Sequence, residues 1–270
     1  MIKSIIFAVA IAVSLTSTAS VVFSAQERYF EGREYTIVFP NKNPGKQKYP
    51  LVLMLHGGLG NSLNLERALP FNQMAKRNGF IVVYPNGYPL RIAPRRKVWN
   101  AGGCCGRAMR DNVDDVGYLT GLIKSIVKKY PVNRRKIYIM GHSNGAMMAY
   151  RFACERPGML AGIIPVSGPL MTESCKSGPV KVLHIHGEND SRVPFEGRRR
   201  IRPIVQNRPF RSVRQTKRIL EEAGARMKVM VIRDAGHNIS EIDSYMKEQK
   251  SVGIPGIIAR FINDRQTAAK

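Results

Sequence analysis

The sequence predicts an α/β fold: a single domain built on a mostly parallel, doubly wound sheet. Two observations predict it. Apolar runs of strand length alternate with stretches of helical periodicity along most of the chain, the order that parallel β-α-β units produce. The stretch Lys136 to Tyr150 (KIYIMGHSNGAMMAY) also passes from a β-rich run to a helical one through a glycine-flanked turn. At 270 residues the chain is long enough for one large core. No internal repeat, low-complexity tract or linker marks a second domain.

Met1 to Ala25 reads as a secretory signal peptide: Lys3 is the charged end, Ile5 to Leu15 the apolar stretch, and small residues follow. The apolar stretch is too short to span a bilayer comfortably. Residues 26–270 are then the single folded domain of a secreted or periplasmic protein, with no stable membrane insertion after cleavage. Glu34 to Phe39 alternates loosely, as an edge strand does, and Asn41 to Lys48 is rich in turn formers. Pro50 to Leu55 is apolar throughout, the pattern of a strand buried on both faces, and runs into His56-Gly57-Gly58-Leu59-Gly60. A helix over 61–78 and a strand over Phe80–Tyr84 follow. Residues 91–110 read as irregular and hold the single tryptophan, Trp99.

Asn112 then caps a helix in which Val116, Leu119, Leu122, Ile123 and Ile126 recur at helical spacing. The strand Ile137–Met140 and the helix Ala146–Cys154 flank the turn already noted. Beyond them lie strands at Gly162–Ser167, Val180–Ile185 and Met227–Ile232, and helices at Val213–Ala223 and Val252–Asn263.

The four cysteines, Cys104, Cys105, Cys154 and Cys175, suit an exported protein, and three pairings are open. Cys154, at a helix end, and Cys175, in the following crossover, both fall at the bottom of the sheet and are placed to meet. A vicinal Cys104–Cys105 bridge is disfavoured, which leaves those two free or paired elsewhere. No C-x-x-C spacing suggests a metal site. The formal net charge is +24, and ten basic residues crowd into 191–218 against Glu196 alone. Such a segment attracts polyanions. An exported protein rarely meets nucleic acid, so an acidic polysaccharide or anionic envelope lipid is the expected partner, or else a solvated basic surface.

Gly141-His142-Ser143-Asn144-Gly145 has the G-x-S-x-G form of a nucleophile elbow, in the strand–turn–helix context that an elbow needs. A serine hydroxyl requires a general base held by a third group. In the α/β-hydrolase chain order the acid and then the histidine follow the serine. Of the five histidines, His56 and His142 precede Ser143, and His184 and His186 fall in or at the end of a strand. That leaves His237, in a loop after the last strand, as base. The acid belongs to the preceding strand's loop, His186-Gly187-Glu188-Asn189-Asp190: Asp190 first, Glu188 second, with Asp234 a distant third. The oxyanion needs two backbone N–H donors, expected from Asn144 and from Gly58 or, failing that, Leu59. A zinc site from His184, His186, Asp190 and His237 lacks a third ligand at matching spacing.

Several segments together resemble a known family. They are Leu53-Met-Leu-His-Gly-Gly58, Val83-Tyr-Pro-Asn-Gly87, Trp99-Asn-Ala-Gly-Gly-Cys-Cys-Gly106, Asp114-Asp-Val-Gly117, Gly141 to Ala146, His186 to Asp190 with Val193-Pro-Phe195, and Ala235-Gly-His237. The likeness is to the polyhydroxybutyrate depolymerase-like esterases, which include feruloyl esterases. It implies an α/β-hydrolase fold, secretion and ester hydrolysis without metal or other cofactor. By motif it makes Ser143 the nucleophile, Asp190 the acid and His237 the base. Two stretches depart from the family pattern. Ile239 and Ser240 stand where many relatives carry Trp-Pro, and Gly197-Arg-Arg-Arg-Ile-Arg202 replaces a run of small residues.

The expected function is an exported serine esterase. Its substrates would be acyl or feruloyl esters of polysaccharide, anionic polysaccharide included, or short hydroxyalkanoate oligomers. The alternatives are a polyanion-binding protein on the same fold, and a peptidase or thioesterase using the same three residues. If the basic segment borders the pocket, it should favour anionic substrates.

Overall fold

A computed structural model describes residues 26–41, 47–176, 178 and 180–264. The signal-peptide reading of 1–25 lies outside them. The chain begins with β1 (Gln26–Phe30), β2 (Arg33–Val38) and β3 (Tyr49–Leu55), then α1 (Ser62–Ala68), α2 (Phe71–Asn78) and β4 (Ile81–Pro85). A two-stranded ribbon, β5 (Tyr88–Pro89) and β6 (Lys97–Val98), precedes α3 (Gly106–Arg110) and α4 (Asp115–Lys129). The centre is β7 (Val132–His142) and α5 (Asn144–Glu155), followed by β8 (Gly162–Val166) and β9 (Lys181–Gly187). The chain closes with α6 (Val213–Glu222), β10 (Arg226–Ile232), α7 (Ile239–Lys250) and α8 (Ile254–Asn263).

Eight strands form one sheet in the order β1-β2-β4-β3-β7-β8-β9-β10. Every neighbouring pair from β4 to β10 is parallel, and β2 alone runs against the rest, antiparallel to both β1 and β4. The period-2 alternation of a strand sorts β3 onto two cores. Leu51, Leu53 and Leu55 pack with α4, α5 and α6 on one face, and Val52 and Met54 with α1, α2, α7 and α8 on the other. This is the α/β-hydrolase arrangement that the alternation predicts. Among the described residues no helix is long and apolar enough to cross a membrane.

Several expectations need correction. Glu34–Phe39 is not an edge: β1, unassigned from sequence, pairs outside β2 from Gln26↔Ile37 to Phe30↔Arg33. The helix expected over 61–78 is two helices, because Pro70 has no N–H to continue α1 and instead stands at the N-cap of α2. Asp114 rather than Asn112 caps α4, its side chain accepting from Gly117 N–H, while Asn112 takes a positive φ of 45°. Residues 91–110 hold β6 and α3. Helix α7 was not assigned from sequence: its core contacts come from Ile239, Ile242 and Met246, with Tyr245 partly buried beside them, scattered through a charged stretch.

Both cysteine pairs are disulfides. Cys154–Cys175 joins the end of α5 to the crossover, as the topology suggests. Cys104–Cys105 is a vicinal bridge, against expectation. Those two lie together in a small cluster with Met147, Met171, Val193 and Phe210, whereas Cys154 and Cys175 belong to the main core. The two pairs thus lie in different clusters, with Cys175 only partly buried.

Candidate active site

The elbow is where local sequence and backbone strain meet. Ser143 sits at φ 54°, ψ −116°, between the end of β7 and the start of α5. Such a conformation costs a non-glycine residue about 1–3 kcal/mol and persists only where its surroundings impose it. Here the flanking glycines permit it. A Cβ on Gly141 would strike the Gly145 carbonyl, and one on Gly145 would strike the carbonyls of Leu55 and His56.

The loops after β7, β9 and β10 bring Ser143, Asp190 and His237 together. His237 Nε2 lies 2.9 Å from Ser143 Oγ, and His237 Nδ1 lies 2.7 Å from Asp190 Oδ2. A carboxylate only accepts, so Nδ1 carries the proton and Nε2 accepts from the serine hydroxyl. Asp190 Oδ1 accepts from the backbone N–H groups of Arg192 (3.0 Å) and Val193 (2.8 Å). Burial would push the Asp190 carboxyl up, but hydrogen bonds from His186, His237 and Val193 outweigh it and hold the group well below the usual carboxylate range. Of the other acids considered, Glu188 and Asp234 are exposed, and neither makes a hydrogen bond to His237.

Behind Asp190 runs a buried chain that sequence reasoning did not find. Tyr150 Oη lies 2.9 Å from His184 Nδ1, His184 Nε2 lies 2.9 Å from His186 Nδ1, and His186 Nε2 lies 2.9 Å from the Val193 carbonyl and 3.4 Å from Asp190 Oδ2. The carbonyl at the end decides every proton. His186 donates from Nε2 and accepts at Nδ1, so His184 donates from Nε2 and accepts from the tyrosine hydroxyl. Two of the three histidines considered as zinc ligands, His184 and His186, are therefore linked to each other, and among the described residues no His, Cys, Asp and Glu cluster is arranged to hold a metal. The signal was the i, i+2 spacing of His184 and His186 on one face of a buried strand.

The other wall is held from below. The Asn144 side chain clamps the backbone of Trp99, accepting from its N–H (2.7 Å) and donating to its carbonyl (3.0 Å). Trp99 Nε1–H donates to the His56 carbonyl at 3.0 Å. His56 donates from Nδ1 to Gly57 O and accepts at Nε2 from Gly87 N–H, and burial lowers its pKa to about 4. His142, passed over in the elimination, donates from Nε2 to the His237 carbonyl at 2.8 Å; burial, then the neighbouring His237, lower its pKa to about 4. Leu59 N–H is spent on the Lys97 carbonyl, whereas Gly58 N–H makes no hydrogen bond among the described residues. Gly58 faces Asn144, since a Cβ built on it would lie 3.5 Å from Asn144 Cβ.

Ser143 opens into a cavity of about 350 Å³. Its lining is mostly small or aliphatic: Gly57, Gly58, Gly60, Leu65, Ala68 and Ile239, with Arg192 the one cation. Residues 34–192 match the family model described as Esterase PHB depolymerase. The chain belongs to this family. The matched span carries Ser143 and Asp190, and His237 lies beyond it.

A putative esterase, NocK, of Nocardia uniformis subsp. tsuyamanensis is 30% identical over 151 residues, covering 55% of this chain and 42% of that protein. A probable feruloyl esterase C of Aspergillus clavatus is 29% identical over 174 residues, covering 63% and 58%. The chain thus aligns with about half the length of the curated relatives it matches. The crystal structure of a carboxylesterase from Mesorhizobium loti superposes with a TM-score of 0.62 at 14% identity, covering 88% of this chain and 98% of that one. At that identity the likeness bears on the fold alone.

Proposed function

We propose that the protein is an exported serine carboxylic-ester hydrolase, with 26–270 as its catalytic domain and 1–25 as its export signal. The observation that carries this is the hydrogen-bonded run from Asp190 through His237 to Ser143 Oγ, at 2.7 and 2.9 Å, in a cavity at the carboxyl ends of the strands. The family membership supports the reaction class.

Ser143 Oγ attacks the ester carbonyl while His237 Nε2 takes its proton. Asp190 keeps the imidazole in the required tautomer and stabilises the imidazolium. The carbonyl oxygen, now negative, is held by the backbone N–H groups of Gly58 and Asn144, the second at the start of α5, where the helix dipole favours an anion. His237 then protonates the leaving alcohol. Water, deprotonated by His237, releases the acid from the acyl-enzyme.

The aliphatic, glycine-rich lining has no aromatic ring other than those of its histidines. It suits a short acyl group better than an aryl one. Short acyl esters on polysaccharide are the favoured substrate, closer to the acetylxylan ester named for one relative than to the feruloyl ester named for another.

The test is hydrolysis of p-nitrophenyl acetate. Ser143→Ala should lower kcat by about 10⁴–10⁶, the cost of losing such a nucleophile. A variant that keeps a tenth of wild-type kcat would remove the assignment.

A further inference from the structure

A second concavity lies beside the site. Its volume is about 660 Å³, and Arg198, Arg199, Arg211, Arg214 and Arg218 line it, with Glu196 the single acid. One wall is the segment after Asp190, folded back on itself where Arg198 N–H donates to the Phe210 carbonyl at 2.9 Å. The other wall is the first two turns of α6, where Arg214 and Arg218 stand four residues apart and share a face.

The five guanidinium groups are not equivalent. Arg198 donates to the Ser191 carbonyl and lies 6.0 Å from the Phe210 ring centre, and Arg211 donates to the carbonyls of Leu170 and Thr172. These two build the groove. Arg199 and Arg214 are exposed and have no acidic partner among the described residues, and Arg218 has only a loose contact with Glu222 at 3.9 Å. These three are available to a ligand. All five cations are arginine, whose planar fork matches carboxylate and sulfate oxygens two at a time.

We infer that this groove binds an anionic polysaccharide, a sugar chain bearing repeated carboxylate or sulfate groups. Nucleic acid fits less well, because base stacking needs open aromatic faces, and the one aromatic ring in the lining, Phe210, is buried beneath Arg198. An anionic membrane fits less well, because the exposed apolar residues nearby, Ile201, Ile204 and Val205, lie outside the lining, and a flat surface does not enter a groove.

The groove also lies close to the cavity of Ser143. Arg192 lines that cavity and Gly197 lines the groove. Five residues of chain span at most about 18 Å, so a polymer held by the arginines is kept near Ser143. This last step rests on the esterase reading; the binding itself does not.

The experiment measures binding of fluorescein-labelled oligogalacturonate, free of esters, and of labelled dextran sulfate by anisotropy at low salt. The proteins are the wild type, the triple variant Arg199→Ser/Arg214→Ser/Arg218→Ser, and the control Lys128→Ser/Arg134→Ser/Arg135→Ser. The control removes the same charge from exposed positions elsewhere. The groove variant should bind about tenfold more weakly, from the loss of three exposed ion pairs, and the control less than twofold. Whether oligogalacturonate or dextran sulfate binds more tightly tells carboxylate from sulfate. Equal weakening in both variants would reduce the groove to part of a diffuse field and overturn the inference. So would tighter binding of a single-stranded oligonucleotide or of phosphatidylglycerol vesicles than of either glycan. Hydrolysis of p-nitrophenyl acetate, run on the same preparations, should be unchanged in both variants. Its absence from the wild type would count against the esterase reading and leave the binding result standing.

Discussion

Lowering the pH from 7 to 5 should cost the folded protein about 2 kcal/mol through His56 alone. The imidazole is 1% exposed and both its nitrogens are committed, Nδ1 as donor to Gly57 O and Nε2 as acceptor from Gly87 N–H. Protonation would add charge to a buried ring and set a proton against the Gly87 donor. Burial accordingly lowers its pKa from 6.5 to about 4. Between those values the unfolded chain binds the proton and the folded one does not, so stability rises with pH and is lost as pH falls through 6.5. At 1.36 kcal/mol per pKa unit the full effect is about 3 kcal/mol, reached below pH 4, of which about 2 kcal/mol develops between pH 7 and 5. Against a typical total of about 5–15 kcal/mol this is a large fraction. Burial shifts His142 and His184 in the same direction, which steepens the loss further. Urea unfolding at pH 7 and pH 5 measures it, with His56→Gln as comparison. The variant should be less stable at both pH values but should lose about 2 kcal/mol less than the wild type between them. A wild type equally stable at both, or a variant with an undiminished loss, would refute the reasoning.

Asn144→Ala should destabilise the protein by about 2–5 kcal/mol, because it orphans the buried N–H and carbonyl of Trp99; thermal unfolding reads this, and a shift within the error of a surface substitution would show that the clamp is dispensable. His184→Ala breaks the chain behind Asp190 and should lower kcat/KM and move the acid limb of its pH profile. An unmoved profile with lowered stability would make that chain purely structural. Removing the Cys154–Cys175 bridge, 21 residues apart in sequence, should cost about 3 kcal/mol by chain entropy. Unfolding of a Cys154→Ala/Cys175→Ala variant checks it.

The sheet was legible because its strands are apolar runs broken by turn residues, and the elbow because its two glycines stand where Cβ atoms have no room. Chain order singled out Ser143, Asp190 and His237 as candidates, and the loops at the strand ends bring them into hydrogen-bonding distance. What was missed depends on contacts between residues remote in sequence. The clamp of Asn144 on Trp99 spans 45 residues and the His142–His237 bond 95, and no local pattern encodes either. Strand β1 was missed because its charged sequence gains a partner only from β2. The vicinal disulfide was misjudged because its setting, a small core under the basic segment, is tertiary. The basic segment was expected beside the pocket. Arg192 does line the Ser143 cavity, while most of the arginines gather in the neighbouring groove instead.

The most direct measurement of the central claim is covalent labelling with a fluorophosphonate, read by peptide mass mapping. The folded protein should carry one adduct, on Ser143, and labelling should fall by orders of magnitude in His237→Ala, since the hydroxyl then loses the base 2.9 Å away. An unlabelled folded protein, an adduct on another residue, or labelling of His237→Ala at the wild-type rate would contradict it.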